Sequence, residues 1–562
     1  MTMNPLGVRM PVTRRLAGIA ALLVVSLVAV TCAKDGASPP AGATQLAFKG
    51  EPGNAMAATT ITTVVVEARD NSGNPVTDFA DSVSIAIGTN PGSGALSGTL
   101  KVKASAGLAS FSDLSINKSG TGYKLLAVSS GLANANSGTF NITAGPASQI
   151  SFTAQPGNTN AGGTMSPVKV RIEDAQGNVV DAFSGDISLA ITSGSGAAGA
   201  ALSGTTTQPT SAGVSTYSNL SIDKVGANYT FSATASGLPE ATSSVFDITP
   251  GPAADLIITV QPSNATAGVD IFPAVVVTAR DGLGNVATGF NGLVSLAITS
   301  GTGTAGATLS GIASQSATSG VTTFSVLSIN KAGVGYTLSA SAPTVPTGAT
   351  TAPFDIAVGP PELLNFAVQP STVISGVPIT PVKVSVEDGS GNVVTGFGGN
   401  IDIALFANPG GGILSGTKSK APFNGVATFS DLSIDKSGIG YTLSVTATGL
   451  TGATATSDPF NILAGAGANL VFTGQPTSTS AGAGIPGIEV TLRDAQNNVA
   501  TGFNGNVTLA IGTNAGGGTL AGTFAVPAVS GVATFPGLSI DKVGTNYTLK
   551  ASVTGISDVT SA

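Results

Sequence analysis

Leu220-Ser221-Ile222-Asp223-Lys224-Val225-Gly226-Ala227-Asn228-Tyr229 reads as an apolar strand, a turn made by Asp and Gly, and a second strand opened by tyrosine. The same run returns from Leu114, Leu327, Leu432 and Leu538, each time followed by a tyrosine: Tyr123, Tyr336, Tyr441 and Tyr547. Five of the six tyrosines in the chain therefore hold one structural position. Working outward, a Gln-Pro pair recurs at Gln155-Pro156, Gln261-Pro262, Gln369-Pro370 and Gln475-Pro476, with Glu51-Pro52 as its first version, and the prolines are 104, 106, 108 and 106 residues apart. Asp-x-x-Gly-Asn begins at Asp70, Asp174, Asp281 and Asp388, and returns at Asp494 with Asn497 in place of Gly. Self-similarity at this period divides the chain into five units. They span residues 44–147, 148–253, 254–361, 362–468 and 469–562.

Inside a unit the apolar residues alternate, as in Val168-x-Val170-x-Ile172 and Ile187-x-Leu189-x-Ile191, which is a strand with one face buried. Asp-x-x-Gly-Asn sits between two such strands. Gly and Asn tolerate positive φ there and Asp bonds a nearby backbone N–H, so it predicts a hairpin turn. Short strands separated by turn signals in a unit of this length predict an all-β array of sandwiches, each of seven or so strands. Their cores are expected to rest on Phe, Ile, Leu and Val, including Phe79, Phe183, Phe290, Phe397 and Phe503 just after the turns.

The recurring tyrosine resembles the tyrosine corner of immunoglobulin-like sandwiches, in which the hydroxyl bonds back to the upstream backbone. Taken with the Gly-Val-Ala-Thr-Phe run at 425–429 and 531–535, the units resemble bacterial immunoglobulin-like repeats of the invasin and intimin type. The resemblance implies the stalk part of such surface proteins. It carries over no binding residue.

Residues 1–31 hold Arg9, Arg14 and Arg15, no acid, and an apolar run from Leu16 to Val30 that is short of a membrane span. This reads as a secretory signal peptide. Ala29-Val30-Thr31-Cys32 resembles the lipobox of bacterial lipoproteins, with Thr31 where that motif has Gly, Ala or Ser. The resemblance implies that Cys32, the one cysteine of the chain, is the lipidated mature N-terminus and that residues 32–43 form a flexible Pro/Gly/Ala tether. The location expected is the cell surface, as an outer-membrane lipoprotein or an otherwise secreted protein. The membrane is then a partner through the N-terminal lipid.

Charged residues make up 9% of the chain, against about 25% in ordinary soluble proteins. Removing residues 1–31 leaves 19 basic against 29 acidic residues, a net charge of −10, which argues against nucleic acid as a partner. Lys101 with Lys103 and Lys418 with Lys420 are read as solvated loops. With no His, no Trp and one Cys, His-dependent triads, His- or Cys-rich metal sites and intrachain disulfides are excluded.

Paired carboxylates could still act as in glycosidases. The close pairs, Glu173-Asp174 and Glu387-Asp388, are read instead as exposed strand-end charges. Calcium wants several carboxylates. The junctions at 144–147, 250–253, 358–361 and 464–467 contain none. The Asp-x-x-Gly-Asn turns are read as held by their own Asx bonds.

No catalytic residue, cofactor or metal ligand is therefore expected. The chain is read as a non-enzymatic lipid-anchored stalk or adhesion protein, its protein or glycan ligand unknown. The alternatives are the non-catalytic repeat region of a larger secreted enzyme and a glycan-binding array. Repeats one to four close with Phe-x-Ile, at Phe140, Phe246, Phe354 and Phe460, and repeat five is expected to lack this last strand. That pattern suggests either part of a longer gene product or a strand supplied by a partner.

Overall fold

The computed structural model describes residues 42–562, so the expected signal peptide, Cys32 and nearly all of the expected tether lie outside the described residues. Among the described residues every regular element is a strand. Repeat one shows the plan. Its strands are β1 (Gln45–Gly50), β2 (Ala55–Met56), β3 (Val64–Arg69), β4 (Ser82–Thr89), β5 (Leu96–Ser97), β6 (Lys101–Lys103), β7 (Leu108–Phe111), β8 (Ser115–Ile116), β9 (Gly120–Val128), β10 (Ala135–Asn136) and β11 (Phe140–Thr143). Seven of these eleven are three residues or longer, and they make the sandwich.

One sheet runs β1-β3-β7 and the other β2-β11-β9-β4-β6, with β10 on the side of β9. All pairs are antiparallel except β2 with β11, which lie parallel. This is an immunoglobulin-like order in which the fourth long strand, β6, joins β4 rather than the three-stranded sheet. The alternation seen in the sequence decides the faces. Val64, Val66, Ala109 and Phe111 of one sheet meet Val83, Ile85, Tyr123, Leu125 and Ala127 of the other in a single buried cluster. Lys101 and Lys103 are exposed, but they lie on the edge strand β6 rather than in a loop, and the matching edge strand of repeat four carries an exposed lysine, Lys420, in the place of Val102. Lysine on an edge discourages pairing with another sheet.

Each of the other repeats encloses its own core. The first strand carries the same register shift in all five, between Phe48 and Gly50, Phe152 and Ala154, Ile258 and Val260, Phe366 and Val368, and Phe472 and Gly474. The hairpin before the Gly-Val-Ala-Thr-Phe strand needs two successive residues at positive φ, here Asn424 (49°) and Gly425 (76°). That is the two-residue turn whose twist suits a hairpin. Phe79 is fully buried, whereas Phe183, Phe290, Phe397 and Phe503 are only partly buried against their cores.

The last tyrosine, Tyr217, stands on a strand of the three-stranded sheet at the place held by Phe111, Phe324, Phe429 and Phe535. Its buried hydroxyl donates across the core to the Ile187 carbonyl at 2.6 Å, tying the two sheets together.

Candidate functional site: the joints between repeats

The Tyr corner is the first part of the joint. Tyr123, Tyr229, Tyr336 and Tyr441 have fully buried side chains, and each hydroxyl donates at 2.8 Å to the carbonyl of the lysine five residues upstream, Lys118, Lys224, Lys331 and Lys436. Each ring also packs on the phenylalanine of the last strand, with centroids 5.8 to 6.2 Å apart. The bond pins the short Asn/Asp-Lys segment at the far end of the repeat. The next repeat grips that segment.

The gripping element is the Asp-x-x-Gly-Asn turn. In repeat two, Asp174 Oδ1 accepts from the backbone N–H groups of Gln176 and Asn178, both at 2.8 Å, as the turn chemistry predicts. Its Oδ2 accepts from Asn178 Nδ2 and from the N–H of Gly145 in the linker, again at 2.8 Å. Asn178 then reaches back into repeat one. Its Nδ2 donates to the Asn117 carbonyl at 3.0 Å, and its Oδ1 accepts from the Ser119 N–H at 3.0 Å. Lys118 Nζ adds a bond to the Gln176 carbonyl.

The Asp and Asn bonds recur at every joint, and the lysine bond recurs at the fourth, from Lys436 Nζ to the Gln496 carbonyl. Linker N–H groups of Gly251, Gly359 and Gly465 bond Asp281, Asp388 and Asp494. Asn285, Asn392 and Asn498 donate to the carbonyls of Asp223, Asn330 and Asp435 at 2.8 to 2.9 Å, and accept from Val225, Ala332 and Ser437. The fourth joint has one bond more, from Ser375 Oγ to Asp494 Oδ2 at 2.6 Å.

These contacts correct the reading of Glu173-Asp174 and Glu387-Asp388 as exposed charges. Asp174, Asp281, Asp388 and Asp494 are at most 4% exposed, and Glu173 is buried beside Gln149 and Arg171. Glu387 is partly buried, taking bonds from Asn365 and Ser385. Burial works to raise the pKa of the four aspartates, but the surrounding N–H groups outweigh it and hold each carboxyl below its ordinary range. For Asp494, where burial is opposed by the Ser375 hydroxyl and then by Asn498 and Gly465, the value falls to about 2. A carboxylate whose acceptor directions are filled by N–H and O–H donors is an anchor for those donors. Such donors repel a cation, so the turns act as hydrogen-bond hubs.

The sequence placed the turns and the tyrosines but not their meeting. Its one trace was a constant interval, since each linker glycine precedes its aspartate by 29 or 30 residues. The Gln-Pro landmark also has a role that sequence reasoning missed. The side chains of Glu51, Gln155, Gln261, Gln369 and Gln475 accept the N–H of Gly138, Ser244, Ala352, Asp458 and Ala562 at 2.8 to 2.9 Å, at the approach to the last strand. Cys32, the expected lipidation site, lies outside the described residues.

No protein-family model matches the chain, and no curated protein matches it in sequence. Among solved structures the chain is similar to invasin, described as a bacterial integrin-binding protein, at 13% identity over 88% of this chain and 98% of that one, with a TM-score of 0.28. It is similar to domains 4–9 of the surface-layer protein SbsC at 14% identity over 92% and 81% (TM-score 0.18), and to the Yersinia pseudotuberculosis adhesin InvE at 15% over 42% and 69% (TM-score 0.18). At such scores the arrays do not superpose as whole bodies. The immunoglobulin-like assignment rests on the strand order and the tyrosine corner.

Proposed function

We propose that the chain is a non-enzymatic stalk or adhesion protein of the bacterial cell surface, tethered to the membrane through an acylated Cys32. The observation that carries this is the fourfold recurrence of one buried hydrogen-bonded joint. Linkers of a few residues that are themselves bonded to a buried aspartate leave little room for swing, so the repeats act as a spacer. With central strands of 6 to 10 residues, such as Val168–Glu173 and Gly438–Ala447, at about 3.3 Å each and turns at both ends, a repeat is roughly 30–40 Å long and five in line span on the order of 150–200 Å. The function of such a spacer is its length: it holds a distal surface away from the membrane.

Small-angle X-ray scattering on the mature chain tests the proposal. A rod of that length has a radius of gyration of roughly 50 Å, about twice the ~24 Å of a compact body with as many residues. Replacing Asn178, Asn285, Asn392 and Asn498 together by Ala should leave the five folds intact while shrinking and broadening the distribution of lengths. A compact wild type, or a wild type as flexible as the fourfold variant, would refute the spacer.

A further inference from the structure

Repeat three departs from its sisters at three exposed positions that lie side by side. Its short antiparallel pair, Leu309–Gly311 with Leu327–Ile329, continues to Ile312 and Val326, where the Ile312 N–H donates to the Val326 carbonyl at 3.1 Å. On the other side of Val326 runs the segment that carries Phe272, held by a 2.7 Å bond from the Ile271 N–H to the Leu327 carbonyl. Ile271 and Leu327 are buried, so Phe272 and Val326, one step along, face outward. Phe272, Val326 and Ile312 are 80%, 46% and 57% exposed, and they form an apolar row that crosses three neighbouring segments.

None of the sisters has this row. Ile312 stands where they have Thr99, Thr205, Thr417 and Thr523, and Val326 where they have Asp113, Asn219, Asp431 and Gly537. Phe272 stands where they have Thr62, Ser166, Thr380 and Pro486. In repeats one, two and four the Thr and the Asp or Asn bond each other at 2.7 to 3.0 Å. The three positions have changed together, and in the repeat with the fewest charges: Asp255, Asp270, Arg280, Asp281, Lys331 and Asp355, against twelve charged residues in repeat one. Of these six, Asp255 and Arg280 pair at 2.7 Å and Asp281 is buried. The row exposes roughly 300–400 Å², the size of the largest apolar patch on an ordinary monomer, and patches of that size are often contact surfaces.

We propose that this row is a contact surface for the same row on a second copy of the chain, the two copies lying side by side and parallel. Charge favours this occupant. With 19 basic against 29 acidic residues beyond residue 31, two copies repel, and an uncharged row is where they can touch. Shape favours it too. The smallest of the three side chains is central, so a twofold axis running along the strand over Val326 sets Val326 on Val326 and each Phe272 on the Ile312 of the other copy, an isologous contact. Asp270, on the Phe272 side of the row, then falls on the Ile312 side of the other copy, away from its like. The two rows together bury roughly 700 Å², below the ~1,200 Å² of stable complexes. Dilute chains therefore stay apart, and chains held side by side at millimolar effective concentration associate. Only that crowding rests on the proposed membrane anchor; the contact itself does not.

Disulfide trapping tests the contact on soluble residues 33–562, which hold all five repeats and no native cysteine, so the result is independent of Cys32. Ser328 lies on the same outer face as Val326, two residues further along the strand, and the proposed axis passes over both. Val326→Cys and Ser328→Cys, oxidised with diamide at millimolar chain, should each form covalent dimers at least roughly tenfold faster than Asp431→Cys and Ser433→Cys at the matching places in repeat four. Adding Phe272→Ser and Ile312→Thr, residues that the sister repeats carry in the same fold, should return Ser328→Cys to the repeat-four rate. Dimers no faster at 326 than at 431, or a rate at 328 indifferent to Phe272→Ser and Ile312→Thr, would overturn the contact. Fast trapping at 326 with none at 328 would overturn the parallel pairing, because an axis along the row carries the two Ser328 residues apart.

Discussion

Removing one oxygen atom at five equivalent places separates the tyrosine corner from ordinary aromatic packing. In Tyr229→Phe and Tyr336→Phe the ring stays in a fully buried site and only the 2.8 Å bond to Lys224 or Lys331 is lost. A neutral hydrogen bond of this kind contributes about 0.5–1.5 kcal/mol, which for a domain of this size is a fall in melting temperature of roughly 2–12 °C. Tyr547→Phe is the internal control. Its hydroxyl has no partner, so its removal costs no bond and relieves the desolvation of a polar atom; no loss, or a gain of up to about 1 kcal/mol, is expected. Calorimetry of the whole chain reports the net stability, and hydrogen exchange assigns the change to a repeat. The loss should also appear across the joint. Lys331 sits beside Ala332, whose N–H donates to Asn392 of the next repeat, so Tyr336→Phe should speed exchange at Ala332. If Tyr547→Phe costs as much as Tyr336→Phe, or if Tyr336→Phe costs nothing, the hydroxyl bond is not what holds the corner.

Acid should loosen the joints before it unfolds the repeats. The four buried aspartates have pKa values below the ordinary carboxylate range, so their contribution is complete above about pH 4 and is lost as pH falls through the lowered values. For Asp494, at about 2, the contribution is about 2 kcal/mol, and the fourth joint should release last, followed by scattering or by exchange at Ser437 between pH 4 and 2. A length independent of pH in that window would count against the carboxylate hubs. At the other end of the chain, a fatty-acid analogue should label the cells' wild-type protein and not Cys32→Ala, which should leave the membrane; an unlabelled wild type would remove the anchor from the proposal.

Most of the fold was legible because its signals are local and repeated. Val168, Val170 and Ile172 are spaced by the pleat, and all three are fully buried on one face. The turn was legible for the same reason, since Asp174 bonds residues two and four positions ahead. The joint was not, because the other half of the Asp174 carboxylate is satisfied by a linker glycine 29 residues earlier, and Asn178 by residues some 60 positions away. Nothing beside Asp174 in the chain records those partners. The burial of Glu173 was misjudged likewise, because its neighbour Gln149 comes from an adjacent strand.

Every inner repeat carries both halves of the joint, the Asp-x-x-Gly-Asn turn at one end and the tyrosine-pinned Asn/Asp-Lys backbone at the other. The Asn contacts common to all four joints use main-chain atoms of the preceding repeat and so do not depend on which repeat that is; the lysine bonds of the first and fourth joints and the Ser375 bond of the fourth are additions to that shared set. Deleting residues 254–361 would bring the backbone of Asp223 and Val225 against Asn392, a pairing chemically the same as the one lost. Duplicating a repeat is equally neutral for its neighbours. The gene can therefore lengthen or shorten its product in steps of one repeat by recombination between copies while keeping the shared Asp and Asn bonds at every seam.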